Sequence, residues 1–294
     1  MNKITIPMIS IILLLISLII PTSATYVKSI QLNTGSIEAE EPNEKPLPPS
    51  KTIAHIHNSL TVSSGTIDSE TEVVHGPITL YGPNGKLNGN VLVNPWVSIS
   101  GLEQINGPII REEIHEKKVT FDYSILQKNI PSYGDYNIHE STTINSSGQY
   151  YNFNLNNTLT IDTSNGDIVL MINHLNLGGD IKVKGTNRAI IIIKDNININ
   201  GNRKIGSPTM QDKLDLVIQN YSLNIQNHMN LYASLYFEGS WLTIRNHINI
   251  EGAIYAPNAN VTLSEVTLSG AIYCNALSME QNSRIIDKSI ANSK

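Results

Sequence analysis

The chain has 294 residues, 40% of them hydrophobic and only 15% charged, so it can bury one large core. A formal charge of −5 with no basic cluster argues against nucleic acid as a partner. Cys274 is the single cysteine, which excludes a disulfide framework and a cysteine-based metal site.

In chain order, residues 1–24 read as a targeting segment. Lys3 supplies the positive end, an apolar run follows from Ile4 to Ile20, and Pro21-Thr22-Ser23-Ala24 offers small residues for cleavage after Ala24. Either the segment is removed or residues 4–20 stay as the chain's one membrane contact; both readings export the body of the protein. Residues 25–54 are acidic and proline-rich (Glu38, Glu40, Glu41, Glu44, Pro46, Pro48, Pro49), the composition of a linker or stalk.

From residue 55 a repeat sets in. Ile78-Thr79-Leu80 recurs as Val97-Ser98-Ile99, and Leu87-Asn88-Gly89 recurs as Ile105-Asn106-Gly107. Residues 55–110 therefore read as the first coils of a solenoid. Residues 111–150 interrupt the pattern with the charged run Arg111–Lys118 and with Phe121, Tyr123, Tyr133, Tyr136 and Tyr150. A long excursion of this kind is a cover or a functional segment.

The main solenoid is read from 151 to 287, with a tail at 288–294. Its clearest part runs from Leu214 to Met279, where Leu216, Ile218, Leu223 and Ile225 recur as Leu235, Phe237, Leu242 and Ile244. Asn227-His228-Met229-Asn230-Leu231 recurs as Asn246-His247-Ile248-Asn249-Ile250. Strict in/out alternation in three short strands per turn excludes a helix and predicts an all-β, right-handed parallel β-helix. The inward set, from Leu216 to Met279, is apolar throughout. The outward second- and third-strand positions (Asn224, Thr243, Thr262, Ser278, Asn230, Asn249, Thr267) are small and polar. Asparagines of the repeat read as turn residues bonding along the stack.

Residues 252–278, GAIYAPNANVTLSEVTLSGAIYCNALS, resemble the uncharacterised β-helix domain at the C-terminal end of PilX-type pilus-assembly proteins and other prokaryotic surface proteins. The resemblance rests on Ile254-Tyr255-Ala256-Pro257-Asn258-Ala259 and on Gly270-Ala271-Ile272, and it extends over roughly residues 150–287. This chain has Ile286-Asp287 where that family often finishes with a Tyr-Asp pair. The resemblance implies a β-helix at the cell surface and carries no catalytic residues with it.

One outward column breaks the polar rule: Met171, Ile192, Val217, Tyr236, Tyr255 and Tyr273. Either the aromatic segment 111–153 folds over it, or Tyr236, Tyr255 and Tyr273 form an open platform for sugar rings or a protein partner. His228 and His247 should stack one coil apart, and corner hydrogen bonding is the reading set against a metal pair. The acids Asp167, Asp180, Asp195, Asp212, Asp215, Glu238, Glu251 and Glu265 are scattered, so no catalytic set, cofactor or metal site is assigned. The expectation is an exported, non-enzymatic surface protein for adhesion, matrix or envelope structure. Carbohydrate binding or cleavage at the tyrosine face is the alternative, and self-association through uncapped ends is the third reading.

Overall fold

The computed structural model describes residues 52–126, 129–209 and 213–287; the targeting segment, most of the linker and the tail lie outside the described residues. The described residues form an all-β solenoid of about 11 turns, with parallel strands throughout its register and only two short 3-10 turns, Leu102–Gln104 and Tyr123–Ile125.

The alternation determines the interior. Leu216, Ile218, Leu235, Phe237, Ile254, Ala256, Ile272 and Cys274 lie in one continuous apolar core, as does every other member of the predicted inward set. Each coil leaves a row of backbone N–H and C=O groups that the next coil satisfies in register, for example Leu216↔Leu235 and Leu235↔Ile254. Corners are held by side-chain ladders. Asn176 Nδ2 donates to Asn154 Oδ1 at 2.6 Å, and Asn154 Nδ2 to Asn137 Oδ1 at 2.7 Å. Asn249 Nδ2 donates to Asn230 Oδ1 at 3.1 Å, so the repeated asparagines do bond along the stack.

The coil order differs from the chain order. Residues 55–110 do form solenoid coils, but they stack on the C-terminal coil and not ahead of the main solenoid. Ala54, Ile56, Leu60 and Val62 pair with Ile272, Cys274, Leu277 and Met279, and Gly65–Asp68 pairs with Ser283–Ile286. Beyond them the stack continues through Glu70–Val73, Val91–Val93 and Ile109–Arg111. The physical reason is that the last coil, Ile272–Ile286, would otherwise present an unpaired edge, and any coil of the same period fits it. The junction carries the same ladder as the rest of the stack. Asn58 Nδ2 donates to Asn275 Oδ1 at 2.6 Å, Asn275 Nδ2 to Asn260 Oδ1 at 2.9 Å, and Arg284 reaches Asp68 at 2.7 Å. Arg284 thus bridges the join.

A second difference concerns the excursion. Strands resume at Ser132–Ile138 and Thr142–Ile144, which pair with Gly148–Leu155 and Leu159–Asp162 as the first coils of the main stack. The interruption is therefore 112–131 alone. Tyrosines obscured the alternation there because Tyr136, Tyr150 and Phe153 pack on one another, with centroids 4.9–5.5 Å apart, at that end of the core.

Residues 112–131 must travel from one end of the stack to the other. About 11 turns at ~4.8 Å each span roughly 50 Å, and this segment fully extended reaches about 70 Å. It has little slack, and its described residues, 112–126 and 129–131, run as a strap along the outer face. Its contacts march down the coils in order: Ile114 on Asn94, Lys117 on Glu72 and His55, Phe121 on Tyr236, Tyr123 on Glu238, and Ile130 on Gln149.

Candidate functional site

The strap lies on the outward column singled out from the sequence. Val169, Ile190, Ile192, Val217, Tyr236, Ala253, Tyr255, Ala271 and Tyr273 form a second apolar cluster with Phe121 and Ile130 of the strap; Val119, Leu126 and Met171 pack at its margin. Of the two readings of this face, the covered one is what the structure contains. Tyr236, Tyr255 and Tyr273 keep only 9%, 9% and 7% of their surface, so they do not present an open platform. The cause is the apolar patch itself, too large to leave in water when the strap must cross it anyway.

The three rings do stack, Tyr236 on Tyr255 at 4.8 Å and Tyr255 on Tyr273 at 5.5 Å. Phe121 meets Tyr236 edge-on at 5.3 Å and 74°. Burial pushes the Tyr255 hydroxyl up to about 12 and raises Tyr236 and Tyr273 as well, so all three are neutral at physiological pH. Phe121→Ala is expected to cost about 3 kcal/mol and to open the tyrosine stack to collisional quenchers of tyrosine fluorescence. Unchanged stability and quenching would show that the strap does not seal this face.

Charged residues fasten the strap near its start. His55 Nδ1 lies 2.6 Å from Glu72 Oε2, and Lys117 Nζ donates to both Glu72 oxygens at 3.1 and 2.9 Å. The Lys117 backbone N–H donates to His55 Nε2 at 3.2 Å, which leaves the His55 proton on Nδ1 to point at Glu72. His55 and Glu72 are buried. Burial alone would push Glu72 up, but His55 and Lys117 outweigh it and hold the carboxylate at about 2. Next to this clasp Glu116 bridges His57 at 2.9 Å and Lys118 at 3.0 Å. Asn94 bonds both the N–H and the C=O of Ile114. Sequence reasoning had seen the charged run Arg111–Lys118 but not its partners; the signal was His55 and Glu72 facing each other one coil apart.

Farther down, Arg188 clamps the buried Asp215 through Nε at 3.0 Å and through Nη2. Burial raises Asp215 and Arg188 pulls the other way. Tyr123 OH donates to Glu238 Oε1 at 2.5 Å, and Gln219 Nε2 donates to Tyr123 OH at 2.8 Å. These carboxylates sit on different coils, each committed to a structural partner. Glu238 thus fastens the strap through Tyr123, while Asp215 and Arg188 tie neighbouring coils together.

The histidines of the repeat lie where the sequence placed them. His228 and His247 stack at 5.0 Å and 6°, and His247 Nδ1 lies 3.4 Å from Glu265. Among the described residues no group of three or more His, Cys, Asp or Glu is arranged to hold a metal ion. Two surface depressions accompany the corners. One, of about 410 Å³, is lined by Leu80, Lys86, Glu103 and Gln104; the other, of about 320 Å³, lies beside His228 and His247.

Fold and site together define a parallel β-solenoid closed by its own strap. Residues 124–292 match the family described as a domain of unknown function (DUF7305), and the chain belongs to that family. The matched region takes in the end of the strap and the coils up to the last one; the coils that complete the stack, 54–111, precede it. No curated protein and no solved structure matches the chain.

Proposed function

We propose that the chain is an exported, non-enzymatic structural module displayed at the cell surface, where it serves adhesion, matrix or envelope architecture. The observation that carries this reading is the closure of the molecule. A strongly apolar outer face is used to bind its own strap, and the buried pair His55 and Glu72 holds that strap through Lys117. A stack built this way resists opening from its side.

The point of attachment adds support. The chain enters the described fold at Thr52–Val62, a strand flanked on one side by the 272–279 strand and on the other by Glu70–Val73 and Ile78–Leu80. Tension from a preceding linker would load a strand bonded on both edges, which shears many hydrogen bonds together where an edge strand would peel. The apolar segment at 4–20, the acidic proline-rich stretch after it and the likeness of residues 252–278 to PilX-type surface proteins all favour display outside the cell.

The two ends of the stack disfavour the self-assembling reading. Asp135 and Glu140 lie at one end and Glu103, Glu112 and Glu113 beside Arg111 at the other, so acids outnumber cations in both groups and end-to-end contact brings like net charges together.

The test is to treat intact cells expressing the full chain with a membrane-impermeant amine label and, separately, to incubate the purified protein with a panel of polysaccharides. Labelling of the chain on intact cells with no sugar release is the expected result. A chain labelled only after lysis, or release of reducing ends, would overturn the proposal.

A further inference from the structure

The depression beside the histidine ladder gathers two cations, Arg203 and Lys204, against one lining carboxylate, Asp180. Two ladders form it, both running along the solenoid axis. The corner ladder is Asn202, His228 and His247; the neighbouring outward column is Lys204, Asn230 and Asn249, held in register by Lys204↔Asn230 and Asn230↔Asn249.

Several cations elsewhere have ion-pair partners: Lys117 has Glu72, Lys184 has Asp162, Arg188 has Asp215 and Arg284 has Asp68. Here the Lys204 ammonium has no ion-pair partner among the described residues. The Arg203 guanidinium bonds only the Asn202 carbonyl, at 3.2 Å through Nη1, while its Nε is buried with no acceptor. A buried guanidinium N–H without an acceptor costs stability, and an anion in the depression would draw the half-buried guanidinium outward and give its N–H groups an acceptor. The nearest carboxylates are Asp180, which accepts the Lys204 backbone N–H at 2.9 Å, and Glu265, turned to His247.

The rest of the lining suits a sugar. Because Asn249 donates to Asn230, the Asn230 amide N–H₂ and the Asn249 carbonyl remain to meet hydroxyls, which both accept and donate. Rungs recur every ~4.8 Å, about the length of one sugar ring in an extended glycan. No tyrosine, tryptophan or phenylalanine is among the residues lining the depression, and most of that lining is polar.

We propose that this groove binds a short stretch of acidic polysaccharide, its carboxylates on Arg203 and Lys204 and its hydroxyls on the Asn230–Asn249 and His228–His247 ladders. The choice of a glycan rests on the placement outside the cell proposed above, but the assay is made on purified protein. A failure here therefore leaves surface display untouched.

The experiment is calorimetric titration of the full chain with polygalacturonate oligosaccharides, neutral cello-oligosaccharides, free galacturonate and inorganic phosphate. The expected result is binding of polygalacturonate that weakens as salt rises, with at least a tenfold loss in the Arg203→Gln/Lys204→Gln double variant and none in Lys182→Gln, an exposed cation outside the groove. Lys204→Glu, at an exposed position, covers the case in which the double variant fails to fold and should lose more. The proposal is overturned if polygalacturonate does not bind, if the groove variants bind it as the wild type does, or if neutral glycans or phosphate bind equally well.

Discussion

Gly270→Ala is expected to lower stability by at least about 3 kcal/mol, against about 1–2 kcal/mol for Gly166→Ala, when both are unfolded in urea. The two glycines share the same unusual backbone, φ 149° and 144°, which only glycine adopts without strain. They differ in surroundings. A Cβ on Gly166 would meet nothing within 4 Å, whereas one on Gly270 would come to 1.7 Å from the Gly252 carbonyl oxygen. Gly252 is placed the same way against Ala233, at 2.1 Å, so successive coils touch backbone to backbone at this corner. The difference between the two variants isolates that close approach. Equal losses would mean that the coils are not stacked as closely as described.

The second large effect is the acid dependence of the clasp. Glu72 falls from its ordinary 4.5 to about 2 in the folded chain, because the hydrogen bond from His55 and the ion pair with Lys117 outweigh burial. A carboxyl whose folded value is depressed gives stability that is fully present above its unfolded value and is lost as pH falls through the folded one. The clasp should therefore contribute roughly 3 kcal/mol above pH 4.5 and progressively less down to pH 2. Asp215 works with the opposite sign, since burial raises it and acid relieves the cost of its charge. Comparing wild type with Glu72→Gln cancels Asp215, which both proteins carry. The stability gap between them should close between pH 5 and pH 2, and a gap independent of pH would rule out the ionised clasp.

What the sequence disclosed and what it withheld divide along a physical line. Alternation within a coil is local, so Leu235, Ile254 and Ile272 could be assigned to the core, and Asn230 and Asn249 to an outward ladder, from spacing alone. The order of coils is not local. Every coil presents the same edge, so nothing in the repeat of residues 55–110 says which neighbour it will meet, and chain order was the only guide. The strap was legible as an interruption with aromatic content. Its length was overestimated, because Tyr133, Tyr136 and Tyr150 mask strand alternation at the end of the stack. The tyrosine column was identified correctly as apolar and outward, yet whether it is open depends on a segment more than a hundred residues away. The unpaired Arg203 and Lys204 stood out only once the partners of the other cations were known.

Closure of the solenoid by its own N-terminal coils is the feature on which the strap, the clasp and the attachment point all depend. It is tested most directly by cysteine pairs in the full chain. Thr61 and Ser278 face each other across the join in adjacent parallel strands, about 5 Å apart between Cα atoms, within disulfide range. Oxidised Thr61→Cys/Ser278→Cys protein should form an intramolecular disulfide in high yield, while Ser100→Cys/Asn137→Cys, which sit at opposite ends of the stack, should not. A disulfide in the second pair and none in the first would mean that the coils follow chain order, and the account would fail.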